Sequence, residues 1–193
     1  LMQAIENALR EDGNQRHVAS LLTQVEVDAD DPAFKNPTKF VGPFFTEEEA
    51  KNISKELIWA MREDSGRGWR HVVPSPKPKH VCDISLVDAL VKRGTIVIAG
   101  GGGGMPVVRD ERGVRTGVPA VIDKDLTSAH IANVLDIDEL LILTAVPRVA
   151  VNFGKPNQKE LSEVSLDEIK AYHKEGHFPP GSMGPKVDAA IRF

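Results

Sequence analysis

Five consecutive glycines, Gly100 to Gly104, end a short apolar run that reads TIVIA at positions 95 to 99. Glycine loses more backbone freedom on folding than any other residue, so five in a row must be offset by a close approach that a Cβ would block. Either another part of the backbone passes there or a ligand binds there. Because bare backbone N–H groups can hold an anion, we favour an anion site over tight packing alone.

The glycines match neither of the two common phosphate-binding motifs. No Lys-Ser or Lys-Thr follows them, as a P-loop requires, and Met105 occupies the place of the third glycine in GxGxxG. The remaining interpretation is a concave row of N–H groups with no side chains in the way.

Three lysines have sequence surroundings that suit a bound anion. Lys124 lies between Asp123 and Asp125, where a strand turns into a helix. Lys186 lies in the first turn of the last predicted helix, where a positive side chain is disfavoured unless an anion binds. Lys39 lies on a long excursion from the predicted sheet. The alternative for each lysine is a solvated surface position, and Asp123 could serve only as a helix N-cap.

Lysines, bare glycines and a carboxylate together suit phosphoryl transfer. In that reaction the protein mostly positions groups and neutralises charge on the non-bridging oxygens. No Cys–His or Ser–His arrangement supports nucleophilic catalysis. His173 and His177 are four residues apart, but Gly176 between them argues against a shared helical face for zinc.

The elements that must position these residues alternate between strand and helix. The sequence pattern predicts a helix at 1–13, strands at 17–27, 66–73, 95–99 and 140–146, helices at 46–64, 85–94, 125–136 and 165–176, a hairpin over 106–123, an ordered loop over 28–45, and a last helix from Pro185. Strands 95–99 and 140–146 are apolar throughout, which is typical of a parallel sheet covered on both faces. Ligands bind beyond the carboxyl ends of such strands, and the glycines follow one of them.

Three of these helices are predicted to start with a capping box, in which the N-cap hydroxyl and an acidic side chain three residues later bond to each other's backbone N–H groups. The predicted pairs are Thr46 with Glu49, Ser85 with Asp88, and Ser165 with Glu168.

Composition favours one globular domain and excludes several functional classes. Hydrophobic residues make up 41% of the chain and charged residues 27%, while the net charge of −4 argues against a nucleic-acid partner or an anionic membrane surface. The single cysteine, Cys82, cannot form an internal disulfide, which fits a reducing compartment. No apolar run is long enough to span a membrane, so we expect a soluble cytoplasmic protein. The first helix lacks a start signal and the last lacks a stop, so we expect the interior of a longer protein.

Seven segments resemble, in order, the successive motifs of the carbamate kinase family within the amino-acid kinase superfamily. These segments are DPAFKNPTK, GPFFTEEEAK, EDSGRGWRHVVPSPKP, GGGGMPVV, AVIDKDL, NFGKP and PGSMGPKVDAAI. The resemblance covers nearly the whole chain. It implies an α/β fold, namely a three-layer αβα sandwich around a mainly parallel sheet. It also implies a single domain over 1–193, a protruding lid subdomain over 28–76, and a homodimer.

The resemblance also implies an activity and a set of site residues. The activity is reversible phosphoryl transfer between ATP and carbamate, giving ADP and carbamoyl phosphate with Mg²⁺, usually in the ATP-forming direction in arginine breakdown. The residues implied to be catalytic are Lys124, Lys186, Asp125 and Lys39. The residues implied to line the carbamate and phosphoryl pocket are Gly101, Gly102, Gly103 and Gly104. Those implied to border the nucleotide are Phe153, Met183, Gly184 and Pro185.

The individual roles of the catalytic residues follow from the same resemblance. Lys124 and Lys186 would bridge the phosphates and the transferring group, and Asp125 would hold both ammonium groups in place. Lys39 would reach in from the lid.

The chain departs from the family pattern in several places. The GGNA and GNGPQVG segments and the final strand are absent, so the chain as given is not expected to be a complete catalyst. Phe153 stands where relatives often have Tyr, Ala145 and Pro147 replace residues that are Gly or Asp in many relatives, and Pro119 stands where relatives tend to carry Glu. The alternatives are another superfamily member acting on an acyl group, a kinase-like carbamoyl phosphate synthetase, or a non-catalytic nucleotide-binding protein.

Overall fold

Helices and strands alternate along most of the chain. The computed structural model describes residues 1–64, 66–179 and 183–193. Within them the helices are α1 (Met2–Glu11), α2 (Glu47–Leu57), α3 (Ile84–Lys92), α4 (Lys124–Val134), α5 (Leu166–Lys174) and α6 (Met183–Arg192). The strands are β1 (Val18–Ser20), β2 (Gln24–Val27), β3 (Lys39–Phe45), β4 (Met61–Glu63), β5 (Trp69–Val73), β6 (Pro78–Val81), β7 (Ile96–Ile98), β8 (Met105–Arg109), β9 (Arg115–Gly117), β10 (Val149–Val151) and β11 (Lys159–Leu161). The α/β class predicted from the sequence is confirmed. Among the described residues, no helix has the length and apolar character needed to cross a membrane.

Two parallel strand pairs follow one another and place the glycines between them. Strand β1 pairs with β7 up to Ser20 opposite Ile98, and β2 pairs with β8 from Gln24 opposite Met105. Residues 21–23 connect β1 to β2, whereas residues 99–104 connect β7 to β8. The second connection is longer and contains the glycines, which form a tight turn at the carboxyl end of β7.

The predicted single strand at 17–27 is two strands, β1 and β2. The break is stabilised by Thr23, whose hydroxyl donates to the Leu21 carbonyl at 3.1 Å and accepts from the Gly100 N–H at 2.8 Å. The last bond of the β1–β7 ladder is from the Leu21 N–H to the Ile98 carbonyl at 2.9 Å, and beyond it the Thr23 hydroxyl bonds this segment to the first glycine.

The core lies where α4 packs against the mixed sheet β6-β2-β8-β9. Val25, Val81 and Ile122 are almost completely buried, and Phe34 packs against them. Helix α1 packs on β1, α3 on β7, and α6 on both α4 and α5. A second apolar cluster between α5, α6 and the β10–β11 pair contains Phe178. Helix α4 is thus fixed against the glycine segment on one side and α6 on the other.

Strands β3, β5 and β4 form a separate, antiparallel sheet, which we call the peripheral sheet, and α2 packs on it. The predicted Thr46–Glu49 capping box starts α2 and is confirmed. Arg70 bonds to Asp64 and lies over the rings of Phe40 and Phe44. These contacts make the peripheral sheet a unit with its own packing, and its first residue is Lys39.

Two predictions about this region were wrong. The helix predicted at 46–64 ends at Leu57, because Ile58 adopts a left-handed conformation with φ of 56° and β4 follows. The loop predicted at 28–45 contains β3. Pro43 lies where the pairing of β3 with β5 shifts register, a place where a strand tolerates a residue without an N–H donor.

The apolar run at 140–146 was predicted to be a buried strand and is not a strand. Leu141 and Leu143 are exposed, while Leu140 and Ile142 line an apolar cavity beside α6. The side chains therefore point alternately to solvent and to the cavity, as they do in an extended segment. None of the described strands, however, pairs with the backbone of this segment. The strands that do form nearby, β10 and β11, were not predicted, because each has only three residues and a pairing partner supplied by the fold.

Candidate active site

The start of α4 brings two aspartates to the edge of the sheet. Asp123 is the N-cap, and its side chain accepts a hydrogen bond from the Asp125 N–H at 2.9 Å. The side chains of Asp123 and Asp125 are 8% and 9% exposed. Negative charge is favourable at the positive end of a helix, so the helix dipole stabilises both carboxylates. The ion pair with Asp125 offsets the unfavourable position of the Lys124 ammonium at that helix end.

Asp125 joins two lysines that lie on different helices. Its carboxylate accepts from Lys186 Nζ at 2.9 Å and from Lys124 Nζ at 3.2 Å. Lys186 is mostly buried, with 20% of its side chain exposed, whereas the Lys124 side chain is 59% exposed. The two ammonium groups predicted to act together therefore share one buried carboxylate. Lys124 also retains a wide exposure to solvent.

Lys39 joins the peripheral sheet to the same helix start. Its Nζ donates to Asp123 Oδ2 at 2.7 Å across 84 positions of the sequence. The sequence had singled out Asp123 as a neighbour of Lys124 and as an N-cap, and had not paired it with Lys39. No local signal could have made that pairing, because β3 reaches α4 only through the tertiary fold.

The charged groups at the site perturb each other's pKa values. Burial by itself raises the pKa of Asp123, but the Lys39 ammonium and the Asp125 N–H outweigh it and hold the pKa below its ordinary value. The hydrogen bond to Asp125 raises the pKa of Lys186, against the opposing effect of burial. Lys186 therefore stays positively charged well above neutral pH.

The lowered pKa of Asp123 predicts a pH dependence of stability. A carboxylate whose pKa is depressed in the folded state contributes stability above its ordinary value of 3.8 and loses it as the pH falls through the folded-state value. We expect the unfolding free energy of the wild type, minus that of Asp123→Asn, to be constant near neutral pH and to shrink below pH 3.8. Urea unfolding down to the lowest pH at which both proteins fold measures this difference. A difference that grows on acidification would contradict the prediction.

The glycines differ in what they do. A Cβ on Gly103 would lie 2.0 Å from the Ile122 carbonyl oxygen, and one on Gly104 would lie 2.5 Å from a Val25 methyl group. Tight packing, the alternative to a ligand, therefore accounts for these two glycines. A Cβ on Gly101 or Gly102 would meet nothing within 4 Å.

The open part of the glycine segment faces a cavity. No acceptor among the described residues bonds to the N–H groups of Gly101 and Gly102. Gly101 and Gly104 line a cavity of about 380 Å³ together with Thr23 and Met105. The bare backbone that could hold an anion is thus Gly101 and Gly102, held in place by the packed pair that follows.

Thr127 ties the glycine segment to α4. Its hydroxyl donates to the Gly103 carbonyl at 2.8 Å, and the residue is completely buried. The glycine segment therefore lies against the first turn of the helix that carries Lys124 and Asp125. Sequence reasoning missed Thr127 and Thr23, since a buried threonine has no distinctive local pattern.

The residues predicted to border a nucleotide are not all brought together. Met183 and Lys186 line an apolar cavity of about 490 Å³ between α5, α6 and the β10–β11 pair. Gly184 and Pro185 line a second cavity, of about 680 Å³, which also contains Lys39 and Asp123.

The remaining parts of the nucleotide prediction lie elsewhere. Phe153 is 66% exposed on the turn after β10 and lines neither of these cavities. Gly181 and Ser182 of the GSMGPK motif lie outside the described residues.

Comparisons with known proteins agree with this arrangement. A family model described as "Amino acid kinase family" matches residues 9–193. The carbamate kinase of Thermococcus kodakarensis is 54% identical over 191 residues, which cover 99% of this chain and 60% of that protein. The carbamate kinase of Pyrococcus furiosus is 50% identical over 193 residues, covering 100% of this chain and 61% of that protein. The chain thus spans about 60% of the length of these curated relatives.

A solved structure gives the same result at the level of the fold. The carbamate kinase from Giardia lamblia bound to AMP-PNP superposes with a TM-score of 0.87 and 44% identity, covering 100% of this chain and 61% of that chain. The resemblance predicted from the sequence motifs is confirmed by these matches.

Proposed function

The chain belongs to the amino acid kinase family, and from this membership and the site geometry we propose that the protein is a carbamate kinase. In the proposed reaction a carbamate oxygen attacks the γ-phosphorus of ATP, the bond from that phosphorus to the β-phosphate oxygen breaks, and ADP and carbamoyl phosphate form. The reaction is reversible, and the proposed physiological direction is ATP formation in arginine catabolism.

The observation that carries the proposal is the shared carboxylate of Asp125. Lys124 and Lys186 are both within 3.2 Å of it, and Lys39 lies on the neighbouring carboxylate of Asp123. Three ammonium groups and two carboxylates leave one net positive charge at the start of α4, the helix whose Thr127 bonds to the glycine segment. This arrangement suits a phosphoryl group better than it suits a neutral substrate, because the negative charge of the phosphoryl group is neutralised on binding.

The chemistry proposed for these residues is positioning and electrostatic stabilisation. Phosphoryl transfer spreads negative charge over the non-bridging oxygens in the transition state. Lys124 and Lys186 would neutralise that charge, and Asp125 would keep both ammonium groups oriented before the substrate arrives. The alignment then requires little reorganisation during the reaction.

The substrates are proposed to occupy two parts of the site. Carbamate and the phosphoryl group would bind at Gly101 to Gly104, whose first two members present unbonded N–H groups. The nucleotide would lie along the start of α6, next to Met183, Gly184 and Pro185. Phe153, because it is largely exposed, would reach the nucleotide only at its outer edge.

Mg²⁺ would accompany the nucleotide phosphates. Among the described residues, no group of three His, Cys, Asp or Glu side chains could hold a metal ion. The two carboxylates of the site are already bonded to lysines. These parts of the chain therefore offer no protein cage for the ion, and Mg²⁺ commonly binds mainly through substrate phosphates and water. When bound, it would neutralise phosphate charge.

The peripheral sheet is proposed to be the lid of a single domain over 1–193, with the lid spanning 28–76.

Lys39→Met should then lower kcat by about 10- to 100-fold, because a misplaced or missing charge costs that much when the rest of the site stays intact. Steady-state ATP formation measures the loss. The matched control is Lys55→Met. Lys55 is exposed in the last turn of α2, which packs on the same sheet, so this variant should retain the wild-type kcat. Unchanged kinetics in Lys39→Met would remove Lys39 from the site.

The proposal is tested by supplying ADP, Mg²⁺ and carbamoyl phosphate to the full-length protein and measuring ATP with luciferase. Carbamate kinase activity predicts ATP formation from carbamoyl phosphate and much less from acetyl phosphate, whereas preference for acetyl phosphate would favour a related acyl-phosphate-forming kinase. In the opposite direction, ATP consumption that depends on glutamine and bicarbonate would favour a synthetase. Calorimetric ADP binding without turnover would favour a non-catalytic nucleotide-binding protein.

The same proposal includes a cytoplasmic homodimer with no nucleic-acid partner. It is supported by the family resemblance, by the net charge of −4, and by the single, buried thiol of Cys82. Light scattering of the full-length protein should give twice the chain mass, and a monomer mass would contradict this part of the proposal.

A further inference from the structure

The two carboxylate oxygens of Asp123 have different partners. Oδ1 accepts from the Asp125 N–H at 2.9 Å, which starts α4, and Oδ2 accepts from Lys39 Nζ at 2.7 Å. Only 8% of the side chain is exposed, compared with 30% of the Lys39 side chain. One buried group therefore fixes both the backbone of Asp125 and the lysine from the peripheral sheet.

This double contact links the two halves of the charged site. Asp125 holds Lys124 and Lys186, while Asp123 holds Lys39. The two aspartates are joined by the hydrogen bond from the Asp125 N–H to the Asp123 carboxylate. A long lysine side chain loses rotamer entropy when it is held in one place. A buried charged partner can compensate for that loss, and Asp123 is the group that does so for Lys39.

We infer that Asp123 is a positioning residue that holds Lys39 at the phosphoryl-transfer site and thereby ties the peripheral sheet to the start of α4. This inference rests on the proposed function. Asp123 acts through Lys39 and does not contact the reacting atoms. Its importance therefore depends on the presence of the Lys39 ammonium.

The competing explanation is that Asp123 is only a helix N-cap. Asparagine is as good an N-cap as aspartate, so Asp123→Asn keeps the bond to the Asp125 N–H and removes the negative charge that holds Lys39. If the N-cap is the whole role, Asp123→Asn should behave like the wild type. If the inference is right, this variant should lose activity while α4 stays folded.

A double-mutant cycle with Lys39→Met tests the inference in the full-length protein. In the wild-type background, Asp123→Asn should lower kcat by about 5- to 50-fold, no more than Lys39→Met does by itself. In the Lys39→Met background, the same change should alter kcat by less than about 2-fold, because two residues that act through one contact are not additive. Equal factors in both backgrounds, or no loss in either, would overturn the inference.

Two controls separate folding and function from positioning. Ser165→Ala removes the N-cap of α5, whose side chain bonds to Glu168, and should keep the wild-type kcat while lowering the unfolding temperature. Circular dichroism and thermal unfolding should show Asp123→Asn folded. Wild-type protein that forms no ATP overturns the proposed function and, with it, the inference. Wild-type protein that forms ATP but gives an additive cycle overturns the inference alone.

Discussion

Replacing Lys186 with methionine should lower kcat for ATP formation by about 100- to 1,000-fold, equivalent to about 2.7 to 4 kcal/mol of transition-state stabilisation, by analogy with the loss of one preorganised donor. Methionine keeps the apolar stem of the side chain, which packs at the cavity beside Met183, and removes the ammonium group. Lys186 is the least exposed of the three site lysines, so water replaces its charge less effectively than it would replace that of Lys124. The loss should therefore at least equal that of Lys124→Met.

Steady-state and single-turnover ATP formation in the full-length protein measure this loss. Lys51→Met is the control, since Lys51 is also ion-paired, at 2.6 Å to Glu47, but is exposed on α2 and away from the glycines. In this variant Asp125 keeps only its bond to Lys124, so thermal unfolding is used to check that the protein, including α4, remains folded. If Lys186→Met retained more than a third of the wild-type kcat with an intact fold, Lys186 would not stabilise the transition state.

Replacing Gly103 with alanine should destabilise the protein by about 2 to 6 kcal/mol, the sum of a strained backbone conformation and an overpacked contact. Gly103 has φ of 105°, which alanine rarely adopts, and its Cβ would lie 2.0 Å from the Ile122 carbonyl oxygen. The new Cβ is attached directly to the backbone, and the oxygen that it meets is a backbone atom of Ile122, a residue that is completely buried in the core. The clash cannot be relieved by rotating a side chain.

Gly101→Ala is the matched control in the same turn. A Cβ there meets no atom within 4 Å, so we expect a change in unfolding free energy of no more than about 0.5 kcal/mol. Urea unfolding of both variants measures the difference. Equal destabilisation at the two positions would show that the whole segment, and not the Ile122 contact, determines the requirement for glycine.

Local signals in the sequence predicted many of the elements correctly. The Thr46–Glu49 and Ser165–Glu168 capping boxes start α2 and α5, because both bonds of a capping box join residues only three positions apart. The Ser85–Asp88 box was wrong, because α3 begins at Ile84 with Asp83 as its N-cap and has no side-chain cap bond. The hairpin predicted over 106–123 is the β8–β9 pair, with Gly113 at φ of 83° in its turn. Such features need no information from distant parts of the chain.

Predictions that depended on distant partners were less successful. The apolar run at 140–146 reads as a buried strand, yet a strand forms only where another strand accepts its backbone hydrogen bonds, and none of the described strands does so here. The opposite error occurred at β3, which was predicted to be loop. This segment is a strand because β5 pairs with it, with a register shift near Pro43. Hydrophobic pattern alone could not distinguish these cases.

The residue types available at the site follow from the sequence alone: lysines, glycines and aspartates, in motifs that resemble one family. Folding brings Lys186 and Lys39, which lie 61 and 84 positions from their aspartate partners, together at one helix start. It also decided that packing requires Gly103, whereas Gly101 is left open. The reason is physical, since charge pairing and steric contact act over a few ångströms in space, whatever the separation along the chain.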